Sequence, residues 1–189
     1  MRVGVLALQG DFREHIAALI SLGVEAIPVK TPSEIDSVSA LVLPGGESTT
    51  IAKLARIFGV FDLIREKIDS GLPVYGSCAG LILLSNEILD GAAGQETFGG
   101  LNITARRNAF GRQVDSFEGE IDFKDIGKFS AVFIRAPWVE EIGPGVEVLA
   151  EIAGHPVAVR QNNLLATAFH PELTEDAKIH RYFLDFARV

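Results

Sequence analysis

The chain has 189 residues, 48% of them hydrophobic and 22% charged, with 17 basic residues against 25 acidic ones and a formal charge of −8. These proportions describe one globular domain, or at most a domain with a small extension, that buries roughly 70% of the surface its unfolded form exposes, and they exclude disorder, a collagen-like repeat or a disulfide scaffold for the whole chain. The acidic balance, with no run of Lys and Arg, argues against nucleic-acid binding.

Residues 3–8 read as a short buried strand, too short for a signal-peptide core and followed at once by Asp11. Asp11 is placed to cap a helix in which Ile16, Leu19 and Ile20 fall at helical spacing, with Gly23 as its stop. Residues 25–29 form a second strand and residues 40–43 a third, stopped by Pro44. Helices follow over 49–58 and 60–70, the latter closed by Gly71. Residues 72–75 are a fourth strand, and 79–84 open another helix. This βαβα rhythm predicts a parallel sheet covered by helices on both faces.

The second half changes character. Residues 97–107, 113–123, 131–135, 146–152, 156–160 and 164–169 are strand-like, with Gln161-Asn162-Asn163 as a turn. Residues 176–187 form a closing amphipathic helix with Ile179, Tyr182, Phe183 and Phe186 on one side. No repeat, low-complexity segment or linker interrupts the chain, so residues 1–189 read as a single α/β domain. Its sheet is mixed and mainly parallel, flanked by helices, with extra antiparallel strands in the second half. The longest uncharged stretch, residues 70–86, falls short of a membrane span and carries Gly71, Pro73, Gly76 and Gly80. With no export or membrane signal, the cytoplasm is the expected location, and no membrane partner is expected.

The fourth strand runs into Gly76-Ser77-Cys78-Ala79-Gly80, and a helix follows. This is G-x-C-x-G, the thiol counterpart of the G-x-S-x-G nucleophile elbow. At such an elbow the nucleophile sits on a cramped backbone with unfavourable dihedrals. Side chains two positions before and after would collide, which requires glycine at both. The turn pushes the sulfur out at the carboxyl edge of the sheet, where open α/β folds bind ligands. It also sets the thiol at a helix N-terminus, which favours thiolate. A bare G-x-C-x-G is as readily a glycine-rich loop around an inert cysteine; the strand before it and the helix after it favour the nucleophile. Cys78 is the sole cysteine, so no internal disulfide forms, in keeping with a reducing compartment.

Pro44-Gly45-Gly46-Glu47-Ser48 follows the third strand. Adjacent glycines let backbone N–H groups turn into a cavity, as a developing oxyanion requires, and donors from Gly46 and Ala79 would complete an oxyanion hole. Taken alone, the segment reads better as a tight turn capping the next helix through Ser48 or Thr49. Of the four histidines, His170 stands out because a strand delivers it into Pro171-Glu172. In extended chain, positions two apart point the same way, and Pro171 fixes the backbone between them. His170 and Glu172 are therefore expected to meet, giving nucleophile, base and orienter. A random His-Pro-Glu is more often a surface feature. His15, His155 and His180 have no such partner pattern and read as structural. No His/Cys cluster has metal-ligand spacing, so neither a metal nor another cofactor is expected.

Together, PGGES, GSCAG and FHPE resemble a class I, triad-type glutamine amidotransferase, a resemblance that implies a flavodoxin-like fold. LALQGDFREH (6–15), PGGESTT (44–50), YGSCAG (75–80), RNAFGRQVDSFE (107–118), FIRAP (133–137) and FHPELT (169–174) are similar to the glutaminase subunits of pyridoxal 5′-phosphate synthase. The resemblance implies Cys78 as nucleophile, with His170 and Glu172 completing the triad. It implies that Gly46, Glu47 and Ser48 line the L-glutamine site, and that Arg107 and the Ile134-Arg135 pair contact the substrate amino acid. An arginine fork suits an α-carboxylate; spacing alone would leave both arginines as surface ion pairs. The implied partner is a (β/α)8-barrel synthase subunit that takes up the ammonia, with weak glutaminase activity until it docks. The competing readings are a glutaminase serving another synthase, such as that for imidazole glycerol phosphate, a non-catalytic regulatory module on the same scaffold, and a cysteine hydrolase acting on other amides.

Overall fold

Short apolar runs bounded by turn residues have no polar face to present to water, so they bury both faces inside a layered α/β structure. The computed structural model describes residues 1–110 and 116–188. The first half runs β1 (Arg2–Leu6), α1 (Phe12–Ser21), β2 (Glu25–Val29), α2 (Pro32–Asp36), β3 (Ala40–Leu43), α3 (Ser48–Ile57), α4 (Phe61–Asp69), β4 (Val74–Ser77) and α5 (Ala79–Leu84). The second half runs β5 (Ser85–Leu89), β6 (Leu101–Arg106), β7 (Ser116–Phe123), β8 (Gly127–Ile134), β9 (Trp138–Ile142), β10 (Glu147–Ile152), β11 (His155–Gln161) and β12 (Leu164–Thr167). A 3-10 turn at Pro171–Leu173 and helix α6 (Lys178–Ala187) follow.

Seven strands form the central sheet in the order β10-β11-β12-β4-β3-β1-β2. The pairs from β12 across to β2 are parallel, and β10, β11 and β12 pair antiparallel. The mainly parallel sheet with antiparallel strands added from the second half is the expected architecture. Two smaller sheets stand beside it: β5-β6-β9, and the antiparallel ribbon β7-β8. Register matters for the site. Gly76 of β4 lies level with Leu43 of β3 and with Ala166 of β12, so three adjacent parallel strands release their chains at one height. The buried apolar side chains form one contiguous cluster, with Tyr75, Phe123, Phe129, Phe133, Phe169 and Phe183 among its largest members. Each such ring contributes about 1.5–3 kcal/mol over an exposed one.

Several local expectations are corrected. The strand expected over 97–107 starts at Leu101, because Gly99 and Gly100 take positive φ values of 76° and 104°. The strand expected from Ala131 starts at Gly127 and stops at Ile134, where Arg135 turns left-handed. The strand expected over 113–123 is seen from Ser116; residues 113–115 lie outside the described ones. β5, β9 and α2 were not expected. The signal for α2 is a capping box between Thr31 and Glu34 with Pro32 at the first turn. The inward face of α1 is also rotated from the expected one. Its buried residues are His15 and Leu19, while Ile20 is 57% exposed. On α6, His180 and Leu184 are buried with Ile179 and Phe183, and Tyr182 and Phe186 are only partly covered.

Candidate active site

The turn after β4 imposes the first geometric constraint. Cys78 has φ 48° and ψ −98°, a conformation that non-glycine residues rarely adopt. Its N–H donates to the Thr167 carbonyl at 2.8 Å, which ties the elbow to β12. A Cβ on Gly76 would lie 2.5 Å from the Gly80 carbonyl group, and one on Gly80 would strike the Leu43 carbonyl oxygen. Glycine is therefore required on both sides of the cysteine by direct backbone contact. Ala79 is the first residue of α5, so its N–H has no partner within the helix. Cys78 is 7% exposed, and its thiol donates to the Ile134 carbonyl at 3.8 Å.

His170 leaves the end of β12 and is anchored by its N–H donating to the Val132 carbonyl at 2.8 Å. The extended geometry expected for His170-Pro171-Glu172 is not found. His170 has ψ 84°, and Pro171–Leu173 form the 3-10 turn, which curls Glu172 back toward the ring. The contact itself forms: His170 Nδ1 donates to Glu172 Oε1 at 2.7 Å, both side chains being almost wholly buried. That bond leaves Nε2 for the Cys78 side of the ring. Burial alone would lower the His170 pKa, but the Cys78 sulfur and then the Glu172 carboxylate outweigh it and push it up to about 10. Burial raises the Glu172 pKa, against the partial relief given by His170.

The loop after β3 lies against this ring. A Cβ on Gly45 would run into His170, with Nδ1 2.8 Å away and Asp11 Oδ2 3.2 Å away. Gly45 accepts from the Asp11 N–H at 3.1 Å, and Glu47 N–H donates to Gln9 Oε1 at 2.7 Å. The N-cap of α3 is Glu47, not Ser48 or Thr49. Its carboxylate accepts from the Thr49 and Thr50 N–H groups at 3.1 and 2.8 Å. A longer carboxylate reaches two first-turn donors where a hydroxyl reaches one. Burial would raise the Glu47 pKa, but the bonds from Thr50 and Thr49 hold it below the usual value.

Arg107 follows β6 and reaches the same network, donating to Gln95 Oε1 at 2.8 Å and to Glu47 Oε1 at 3.1 Å. Gln95 in turn donates to Ser48 Oγ at 2.8 Å. Arg106, one residue earlier, points elsewhere and pairs with Asp90 and Glu140 at 2.7 and 2.8 Å. Ile134 and Arg135 close the far side, Arg135 at φ 41°.

These segments enclose a cleft of about 450 Å³. Cys78, Ala79, His170, Gly46, Glu47 and Ser48 line it, as do Arg107, Ile134 and Arg135. Glu172 lies behind His170, out of the cleft. Sequence reasoning missed Gln9, Asp11, Gln95 and Asn108. The first two sit in a Gln-Gly-Asp turn at the end of the first strand, a position at the carboxyl edge that was open to inference. It also assigned no function to His15 and His180, which are fully buried behind Glu172. No local sequence signal marked either, because each takes its partner from a different helix. Among the described residues, potential ligand atoms of Asp11, His170 and Glu172 lie within 4.8 Å of one another. His170 Nδ1 spends its proton on Glu172, so that nitrogen has no lone pair to offer a cation.

The profile of the SNO glutamine amidotransferase family matches residues 5–188. Pyridoxal 5′-phosphate synthase subunit PdxT of Mycobacteroides abscessus is 59% identical over 187 residues, covering 98% of this chain and 97% of the relative. The protein of the same name from Streptomyces coelicolor is 57% identical over 188 residues, covering 98% and 93%. A crystal structure of a glutamine amidotransferase matches with a TM-score of 0.94 at 52% identity over 99% of both chains. The structure of PurLQS from Thermotoga maritima matches with a TM-score of 0.69 at 16% identity over 98% of both, which speaks to fold alone.

Proposed function

The chain belongs to the SNO glutamine amidotransferase family and shares its α/β fold, and from that premise we propose that it acts as one domain, the glutaminase subunit of a pyridoxal 5′-phosphate synthase. It splits L-glutamine into L-glutamate and ammonia. The observation that carries the reading is a cysteine on a strained elbow sharing one cleft with a histidine that a buried carboxylate orients. The relatives named PdxT favour this synthase over that for imidazole glycerol phosphate.

Cys78 passes its thiol proton to His170 Nε2, and the thiolate Sγ attacks the side-chain amide carbon of glutamine. The N–H groups of Gly46 and Ala79 hold the oxyanion. His170 gives its proton to the departing nitrogen, the C–N bond breaks and ammonia leaves. Water then loses a proton to His170 and attacks the glutamyl thioester. The C–S bond breaks, releasing glutamate and restoring the thiolate. Glu172 keeps the imidazole in the tautomer that presents Nε2 to the sulfur. Arg107 and Arg135 receive the α-carboxylate, with Ile134 against the ligand and Glu47 and Ser48 on the amino side. Arg107 must exchange Gln95 or Glu47 for substrate, which a charge-assisted pair favours. Ammonia protonates in bulk water, so it passes to a (β/α)8-barrel synthase subunit docked on this one. Among the described residues, no helix is long and apolar enough to cross a membrane, and we place the complex in the cytoplasm.

The test measures glutamate release with the synthase subunit present. Cys78→Ala and His170→Ala lower kcat by at least about 10³-fold. Full activity in Cys78→Ala ends the covalent mechanism.

A further inference from the structure

Behind the Cys78–His170–Glu172 line lies a second set of polar groups that the reaction above leaves unused. His15 on α1 and His180 on α6 are 165 residues apart in sequence, and both are 0% exposed. His15 Nδ1 lies 2.9 Å from His180 Nε2, and His15 Nε2 lies 2.9 Å from Ser77 Oγ. The same Nε2 is 3.3 Å from Glu172 Oε2, a close electrostatic contact without the alignment of a full hydrogen bond. Among the described residues, Glu172 Oε2 and His180 Nδ1 have no hydrogen-bond partner.

Both imidazoles are neutral at ordinary pH. Burial first, and then the neighbouring His180 and His170, hold the His15 pKa well below its usual value; burial holds His180 down at about 4. One proton is therefore shared between His15 Nδ1 and His180 Nε2, and two arrangements are possible. If His15 carried it, His15 Nε2 would turn a lone pair toward the Glu172 carboxylate, and His180 Nδ1 would bear a buried N–H with no acceptor. Each of those is costly. If His180 Nε2 carries it, His15 is the Nε2–H tautomer. Its N–H then faces Ser77 and Glu172 Oε2, and only a bare ring nitrogen of His180 is left unpartnered. The second arrangement wins on both counts.

We infer that His15 is a positioning residue for the glutaminase reaction: its Nε2–H, oriented by His180 and steadied by Ser77, sits behind Oε2 of Glu172 and keeps Oε1 on His170. This rests on the proposed roles of Cys78, His170 and Glu172. The groups that face Glu172 are His170 from the end of β12, His15 and Asp11 from α1 and its cap, and Tyr75 from β4; His180 acts from α6 through His15. Of these side chains, the two histidines direct a ring N–H at the carboxylate, beside the backbone N–H of Glu172 itself. Removing the His15 donor makes Glu172 hold its proton more tightly, which weakens its grip on the His170 imidazolium.

Two measurements on the full-length chain test this. The first is the ¹⁵N spectrum of the histidine rings in the wild-type protein. The expected result is Nε2–H on both His15 and His180; Nδ1–H on His15 overturns the inference. The second is the pH profile of kcat and KM in complex with the synthase subunit for His15→Phe and His15→Gln. His15→Phe lowers kcat by roughly 10- to 100-fold, the range for loss of an outer partner of a reacting group, leaves KM within about twofold and moves the acid limb to higher pH. His15→Gln, whose amide N–H can take the place of Nε2–H, regains most of the loss. Reduced thermal stability with an unmoved acid limb overturns the inference, as does wild-type kcat in His15→Phe. If His15→Phe does not fold, the ring spectrum and the His15→Gln profile decide. A failure of the glutaminase reading itself would show separately, as activity surviving in Cys78→Ala.

Discussion

The parallel centre of the large sheet and the antiparallel additions of the second half contribute to the cleft in different ways. β3, β4 and β12 end level with one another and release Gly45, Cys78 and His170 from strands buried on both faces. Those groups are held by backbone contacts: Cys78 by Thr167, His170 by Val132 and by the face of Gly45. The ends of β6 and β8 supply Arg107, Ile134 and Arg135, whose side chains reach the cleft from looser ground; Ile134 is 37% exposed. β8 alternates buried Phe129, Ala131 and Phe133 with exposed Lys128, Ser130 and Ile134, as a sheet with one wet face does. The contrast teaches a division of tasks. Under the proposed mechanism, the bond-making groups sit where neighbouring backbone leaves no freedom, and the ligand-meeting groups sit where side chains can exchange partners.

The sharpest way to break that contrast is Gly45→Ala. The new methyl group meets His170 head-on, and a displacement near 1 Å costs about 10²-fold in kcat. A kcat within twofold of wild type would show that the imidazole tolerates movement and that the contrast is overstated. The next effect separates two neighbours at the end of β6, Arg106 on the strand and Arg107 just after it. Arg107→Ala should raise KM for glutamine about 10- to 100-fold, the worth of one or two charge-assisted hydrogen bonds. Arg106→Ala, which removes a guanidinium paired with Asp90 and Glu140 away from the cleft, should leave KM unchanged. Equal KM values in the two variants would remove Arg107 from the substrate site.

The smallest effect is on stability against pH, followed by urea midpoints. His15 and His180 have lowered folded pKa values, so the unfolded chain binds more protons and stability falls as pH drops from 6.5 toward about 4. His170 has a raised folded pKa. Its contribution is full below 6.5 and is lost as pH rises through about 10. Glu172, raised by burial, opposes the acid loss, but one carboxyl does not offset two imidazoles. A midpoint that is highest near neutral pH is expected. A midpoint still rising from pH 7 to pH 10 in wild type would contradict the His170 assignment.

The sequence was most legible where the chemistry is local. GSCAG needs only the strand before it and the helix after it to be read; Gly76 is demanded by Gly80 within the segment, whereas Gly80 is demanded by the Leu43 carbonyl on the neighbouring strand. FHPE was read correctly as a contact and wrongly as a shape, because an extended segment and a 3-10 turn both bring residues two apart together. The helix cap at Glu47 was misassigned because hydroxyl residues usually take that position, and nothing local announced that a carboxylate would reach both amides. β9 escaped notice because Trp138–Ile142 carries adjacent acids, one of which, Glu140, accepts from Arg106 across the strand pair and from the Trp138 ring N–H on its own strand. His15 and His180 were out of reach for a different reason. Their meaning lies in each other, and periodicity within one helix cannot report a partner on another.

The place of β12 in the sheet also has a consequence for synthesis of the protein. β12 lies between β4 and β11, and it is the last strand in the chain. During translation the elbow cysteine emerges long before His170 does, on a strand whose neighbour has yet to be made. Under the proposed mechanism, a ribosome-bound fragment that ends after β4 and its turn carries the sulfur without the base and cannot open a carboxamide. On that mechanism hydrolysis waits for the final strand to take its place between β4 and β11, so the appearance of activity marks completion of the sheet.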